Sequence, residues 1–412
     1  MANNSPKNKK SPIRLAPANN AGQQTAAANQ AVKAPPKKKR VTWFRNSFDY
    51  SLFTIILILL AFGSVMMFSA SYVVAFKKFD DSLYYVRRQL LFALLGVVGM
   101  IIISNLDYHY VEKKLFIKIA VIVSVGLMLS VFAFGTTLGG AERWIEIAGI
   151  TFQPSEFLKF AVICVFAYLT NKRFEQLKQF KTGFLPFAIV LAIACGLVIL
   201  QPHLSGTIII FAIGVAMMFV AGVSPKHIVV MLVSLVLLII LAVLAMQAMG
   251  ITYFSDRILS FTNPEADISD KTFQTYQSLV TIGSGGLFGL GFGNSRQKYS
   301  YLPASENDFI FSIICEELGF VGGILVILLF GILIFRGFYI ASHARDKTGM
   351  MLAVGITVQM GLQAFLNIAV ATNSVPNTGI SLPFFSYGGT ALVMQLCEMG
   401  VLLSISRKAE LE

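Results

Sequence analysis

For most of this chain hydrophobic residues neither alternate nor recur at a helical period; they come in unbroken blocks. Ten blocks stand out, at about residues 50–72, 88–105, 115–134, 156–170, 184–201, 206–222, 227–250, 309–335, 350–371 and 385–406. An apolar helix of about 20 residues crosses a hydrocarbon core about 30 Å thick. The pattern predicts an all-α polytopic membrane protein of about ten transmembrane helices. The fourth block is short and carries Glu156 and Lys159, so its helix is expected to be sheltered by neighbours. Spans seven and eight are separated by a long polar loop, 251–308. Its second half, rich in glycine and aromatics, is too broken for a span and too apolar for a free linker, so it is expected to lie on the membrane surface or fold back over the bundle.

Composition agrees: 56% of residues are hydrophobic and 13% charged, where a soluble protein carries about 25% charged. The mean hydropathy is +0.71. The net charge of +12 is concentrated at one end, because residues 1–47 hold ten Lys/Arg and no acid. That tail lacks the apolar residues that offset ordering entropy and reads as disordered. Its PPKKKR run at 35–40 reads as a topology and anionic-lipid signal rather than a nucleic-acid site. Trp43 and Phe44 are expected at headgroup level. An even number of spans puts both termini on one side, and the basic tail makes that side cytoplasmic. The organisation is thus a basic cytoplasmic tail (1–47), a membrane domain (48–406) and a short cytoplasmic C-terminal tail (407–412). The first block is too long for a signal-peptide core, so no cleavable signal is expected. The four cysteines, Cys164, Cys195, Cys315 and Cys397, are scattered through apolar stretches and read as packing residues.

The candidate chemistry gathers in the outer loops. Asp308 closes the long loop and opens the eighth block, and an acid at a membrane edge costs roughly 2.5–3.5 kcal/mol on insertion scales. It reads equally as a helix N-cap or as a catalytic group. Glu316 and Glu317 follow about two turns on, and at least one should face the bundle. In 142–159, Trp144 is an aromatic-belt residue or, with Arg143, a holder of a sugar face and a phosphate. Glu156 complements a helix dipole or pairs with Lys159 three residues on. His203, in QPHLSGT (201–207), reads as a hydrogen-bonded structural residue. The glycine run at 283–293 lacks a nucleotide fingerprint and reads as tightly packing backbone, or else as amides near an anionic group. The Pro and Gly residues of 375–392 predict a broken helix or cavity wall.

Four motifs in order, FQPSEFLKF (152–160), QPHLSGT (201–207), GFGNSRQKYSYLP…NDFIFSIICEELGFVGG (291–323) and TGISLPFFSYGGT (378–390), resemble the SEDS family of bacterial cell-wall proteins. The resemblance covers essentially residues 50–406. The GNSRQK segment and the basic tail are closer to the family's division member than to its elongation member. The resemblance implies a peptidoglycan glycosyltransferase of the cytoplasmic membrane, at the division septum, that polymerises lipid II into β-1,4 glycan. It implies Asp308 as the essential residue and general base, and Arg143 and Trp144 as the family's Arg-Trp pair. Arg143 is the first candidate to meet the leaving pyrophosphate, with Lys159 and Arg88 as further candidates, and a divalent cation (Mg2+ or Mn2+) as an assistant that no motif specifies. A class B penicillin-binding protein and other division proteins are the implied partners. Family members commonly carry QPD where this chain has His203, and LPE where it has LPA with Glu306 displaced by two places, so neither position is assigned to catalysis. Two other readings of a ten-span bundle with buried acids remain open: a lipid II transporter, and a scaffold for a transpeptidase.

Overall fold

In the computed structural model, described at residues 48–138, 141–147, 150–201, 203–248, 261–262, 272–299 and 302–409, ten long helices occupy the ten apolar blocks. They are α1 (Tyr50–Phe79), α2 (Tyr84–Asn105), α3 (Lys114–Phe134), α4 (Pro154–Arg173), α5 (Leu185–Ile199), α6 (Leu204–Ala221), α7 (Pro225–Ala248), α9 (Ile310–Ser342), α10 (Lys347–Ala371) and α11 (Gly389–Lys408). A further helix, α8 (Phe273–Ser284), lies in the long loop and packs on α9. Among the described residues, eight of the helices are long and apolar enough to cross a membrane, and Pro225–Leu238 of α7 is a shorter apolar stretch. The basic tail, Trp43, Phe44, Pro202 and most of 249–271 lie outside the described residues.

α4 runs for 20 residues, longer than its apolar block. Pro154 at its first turn needs no N–H partner there, and Lys172 and Arg173 close its last turn. It is enclosed by α3, α6 and α10, which is how a helix carrying Glu156 and Lys159 is tolerated at membrane depth. Lys159 Nζ lies 2.7 Å from Glu156 Oε2, the partner three residues away that the spacing predicts.

The loop between α3 and α4 departs from a purely helical expectation. It folds into a three-stranded antiparallel sheet, β1 (Gly135–Leu138), β2 (Ala141–Ile147) and β3 (Ile150–Phe152). Trp144 pairs in register with Thr136, and Ile145 with both Gly135 and Phe152. The sheet is fastened to the start of α11, where Thr390 Oγ1 donates to the carbonyl of Thr151 (2.9 Å).

α9 is not one helix. At Gly319 the backbone turns to φ 68°, ψ −166°, a region open essentially to glycine alone. The glycine-rich segment after α8 folds into this break. Leu290 and Gly291 N–H donate to the carbonyls of Glu316 and Glu317 (2.9 and 3.0 Å), and Phe320 N–H donates to Gly286 O (2.9 Å). The glycine run therefore satisfies the backbone of a broken membrane helix. Both acids of the break turn inward. Glu316 accepts from Ser295 Oγ and from Arg296 N (3.0 Å), while Glu317 takes Lys298 Nζ at 2.9 Å. Lys298 is fully buried and also donates to Gly293 O (2.6 Å).

The opposite end of the bundle is held by polar ties between helix ends. Asp49 caps α1, accepting from Leu52 N (3.0 Å), and pairs with Arg336 Nε of α9 (2.7 Å). Asp346 caps α10 and accepts from Tyr108, and Lys408 of α11 lies 2.7 Å from Asp107. That lysine chiefly holds the Asp107 carboxyl well below the ordinary carboxylate range.

Candidate active site

The site is built where four connections meet: the sheet before α4, the turn before α6, the segment before α9, and the strap 372–388 between α10 and α11. Asp308 sits in the third of these. It is not the N-cap of α9; Phe309 holds that position, with no side-chain cap. The N-cap reading thus gives way to a half-buried carboxyl left for other work.

Its backbone is clamped from below. Asn367 of α10, fully buried, donates its amide to the carbonyls of Asp308 (2.7 Å) and Ile380 (2.6 Å), tying the Asp308 segment to the strap. Ser386 Oγ donates to Asn307 O (2.7 Å) and accepts from Leu382 N (2.8 Å). Tyr387 N–H donates to Glu306 O (2.9 Å). Gly379, at φ 65°, closes against the carboxylate: a Cβ there would lie 3.3 Å from Asp308 Oδ2. The strap with its Pro and Gly residues is a non-helical segment between α10 and α11, the broken helix that its composition predicts as one of two outcomes.

The electrostatics are mixed. Burial pushes the Asp308 carboxyl up to about 6; Arg143 of β2 pulls it down and Glu306 pushes it up. A carboxylate near 6 is still mostly ionised at neutral pH and a stronger base than an exposed one. Of the residues singled out by sequence, Asp308 and Arg143 are thus brought within electrostatic reach of one another. Lys159 lies deeper, engaged with Glu156, and its charge reaches His203. Arg88 hydrogen-bonds Tyr387 and lies over the Tyr84 ring (4.6 Å to the centroid), so it joins the site through the strap. Burial raises the Tyr387 hydroxyl while Arg88 opposes. Trp144 is half-buried in β2, beside Arg143 in sequence.

Asn367, Ser386 and Tyr387 hold the site and were not singled out by sequence. For Asn367 a signal was present: Gln359, Gln363 and Asn367 recur every four residues in an otherwise apolar helix, and all three are buried. Gln359 at the far end donates to both carboxylate oxygens of Glu398 (3.0 and 2.8 Å), so the stripe runs from Asp308 into the bundle.

Comparison with known proteins gives consistent results. The FtsW/RodA/SpoVE family model, described as cell cycle protein, matches residues 50–411. A probable peptidoglycan glycosyltransferase FtsW of Geobacter sp. (strain M18) is 39% identical over 88% of this chain and 97% of its own length. Stage V sporulation protein E of Bacillus subtilis (strain 168) is 40% identical over 89% of this chain and 99% of its own. A chain solved in work on the structural coordination of polymerization and crosslinking by a peptidoglycan synthase complex superimposes with a TM-score of 0.71 at 25% identity, covering 89% of this chain and 99% of that one. The rod shape determining protein RodA of Thermus thermophilus has a TM-score of 0.61 at 23% identity over 89% and 98%, a likeness of fold.

Proposed function

The chain belongs to the FtsW/RodA/SpoVE family of cell cycle proteins, and from that premise we propose how its site works, with Asp308 as general base. The protein is a peptidoglycan glycosyltransferase. The observation that carries the mechanism is a half-buried carboxyl beside the strap that caps no helix, with a basicity set by burial, Arg143 and Glu306.

One lipid II is the donor, its anomeric carbon bearing the polyprenyl diphosphate; a second presents its sugar 4-hydroxyl. Asp308 accepts the hydroxyl proton as that oxygen attacks the anomeric carbon. The bond to the diphosphate breaks with its electron pair, the anomeric centre inverts, and a β-1,4 linkage forms. A positioned base contributes about 100- to 10,000-fold. Arg143 offsets the negative charge developing on the diphosphate, as preorganised cations do for other leaving groups. Trp144 offers a flat face to a sugar, Lys159 adds its field from behind, and Arg88 binds at the mouth through Tyr387.

A divalent cation fits as a companion of the substrate rather than a resident. Among the described residues, the one grouping of three metal-ligating side chains is His109, Glu112 and Asp346 at the opposite end. At the site Glu306, whose charge reaches Asp308, is the carboxylate that would hold such an ion. Such an ion would add charge neutralisation at the leaving group.

The Asp308 end faces outward and both termini face the cytoplasm, as the basic tail favours. The enzyme serves septal wall synthesis beside a class B penicillin-binding protein, which cross-links the strand; likeness to a peptidoglycan synthase complex supports that pairing. Purified protein in liposomes with lipid II separates the readings. Glycan that a muramidase digests marks the enzyme, whereas lipid II crossing the bilayer without glycan marks a transporter and overturns the assignment.

A further inference from the structure

His203 occupies the N-cap position of α6 but makes no side-chain cap bond. The residue is 6% exposed, and among the described residues its enclosed Nδ1 has no hydrogen-bond partner. The ring is packed against the start of the helix: a Cβ on Gly206 would lie 2.8 Å from Nδ1. Two residues after His203, Ser205 Oγ donates to Thr378 O. Thr378 Oγ1 is likewise buried and without a partner among the described residues, and the next residue, Gly379, is the one closed against Asp308 Oδ2. Two orphaned polar atoms therefore flank the contact that joins α6 to the strap, next to the proposed base. Buried polar atoms are nearly always paired, so such a concentration calls for an absent partner.

The surroundings define that partner's charge. Burial, then Arg143 and Lys159, push the imidazole down to about 3, so the ring is neutral and keeps one N–H to donate. The N-terminus of the 18-residue α6 adds partial positive charge. Arg143 and the N-terminus of α6, together with a neutral donor and a hydroxyl, suit an oxyanion.

We propose that His203, with Thr378 and the first turn of α6, binds the diphosphate of the donor lipid and positions the leaving group beside Asp308. The proposal rests on the glycosyltransferase reading above and adds the residues that hold the leaving group. In this role His203 is a substrate-binding residue and takes no proton in the reaction.

The test uses His203→Asn, since Asn caps a helix well and preserves a purely structural role at this position. The probe is undecaprenyl diphosphate, titrated into the full chain in detergent micelles. Ring 15N signals of the four histidines are followed together with affinity and thermal stability. In the wild type, one histidine signal, absent from the variant, should move. In the variant, affinity should fall roughly 10-fold or more, as for loss of a hydrogen bond to a charged group, with Tm unchanged. The KM for lipid II should rise more than kcat falls. A folded variant that binds the diphosphate as tightly as the wild type overturns the proposal and leaves the enzyme reading intact. Should His203→Asn fail to fold, His203→Gln carries the same comparison. A wild type that polymerises lipid II while no histidine signal responds to the diphosphate also overturns it; one that neither polymerises nor binds overturns the underlying reading as well.

Discussion

At Asp308 three influences compete over one proton. Burial and Glu306 favour its retention, Arg143 its release, and the balance lies at about 6. The base works only when ionised, so activity should fall as pH drops through about 6, by about tenfold per unit below it. Glu306→Gln removes a force that raises the value and should move this acid limb to lower pH; Arg143→Gln removes one that lowers it and should move the limb higher. A pH–rate profile of kcat/KM for the three proteins checks both signs. At this scale the sequence was informative about type and position: an acid at the mouth of an apolar run needed a reason. It could not decide between cap and base, because that depends on whether the carboxylate reaches the first N–H groups of α9. The His203 environment was equally hidden, since a hydrogen-bonded structural role was the expectation and among the described residues Nδ1 has no partner.

The element that carries Asp308 depends on the break in α9. Gly319 has a backbone conformation closed to other residues, and a side chain there would strike Leu287 O and Gly289 N. Gly319→Ala should therefore cost at least ~1–3 kcal/mol of backbone strain, and should lower both thermal stability and polymerisation. Beside the break, Lys298 and Glu317 form a wholly buried pair. Lys298→Met should cost ~3–5 kcal/mol by stranding the glutamate, and Lys298→Met with Glu317→Leu should recover much of it. A denaturation series on the single and double variants reads this directly. The ten apolar blocks were legible because membrane helices announce themselves by length and hydropathy. The break, the sheet and the folding of the glycine loop into the bundle were not, because each depends on contacts between segments distant in the chain. The loop's aromatics and glycines marked it as neither span nor linker, which is as far as local pattern reaches.

Across the whole molecule, polar ties at one end and the Asp308 site at the other give the bundle a clear polarity. In a cysteine-free background, Lys78→Cys near the Asp308 end should react with a membrane-impermeant maleimide in intact cells, and Lys178→Cys at the other end only after permeabilisation. Inverted labelling would contradict the proposed topology. The most direct test of the central claim is polymerisation of lipid II by wild type and Asp308→Asn in the same liposomes, with folding of both verified by thermal melts. Asparagine keeps the size of the side chain and removes its basicity. The account predicts glycan strands from the wild type and a loss of about 100- to 10,000-fold in the variant. Strand synthesis by Asp308→Asn at the wild-type rate would contradict it and move the base to another residue.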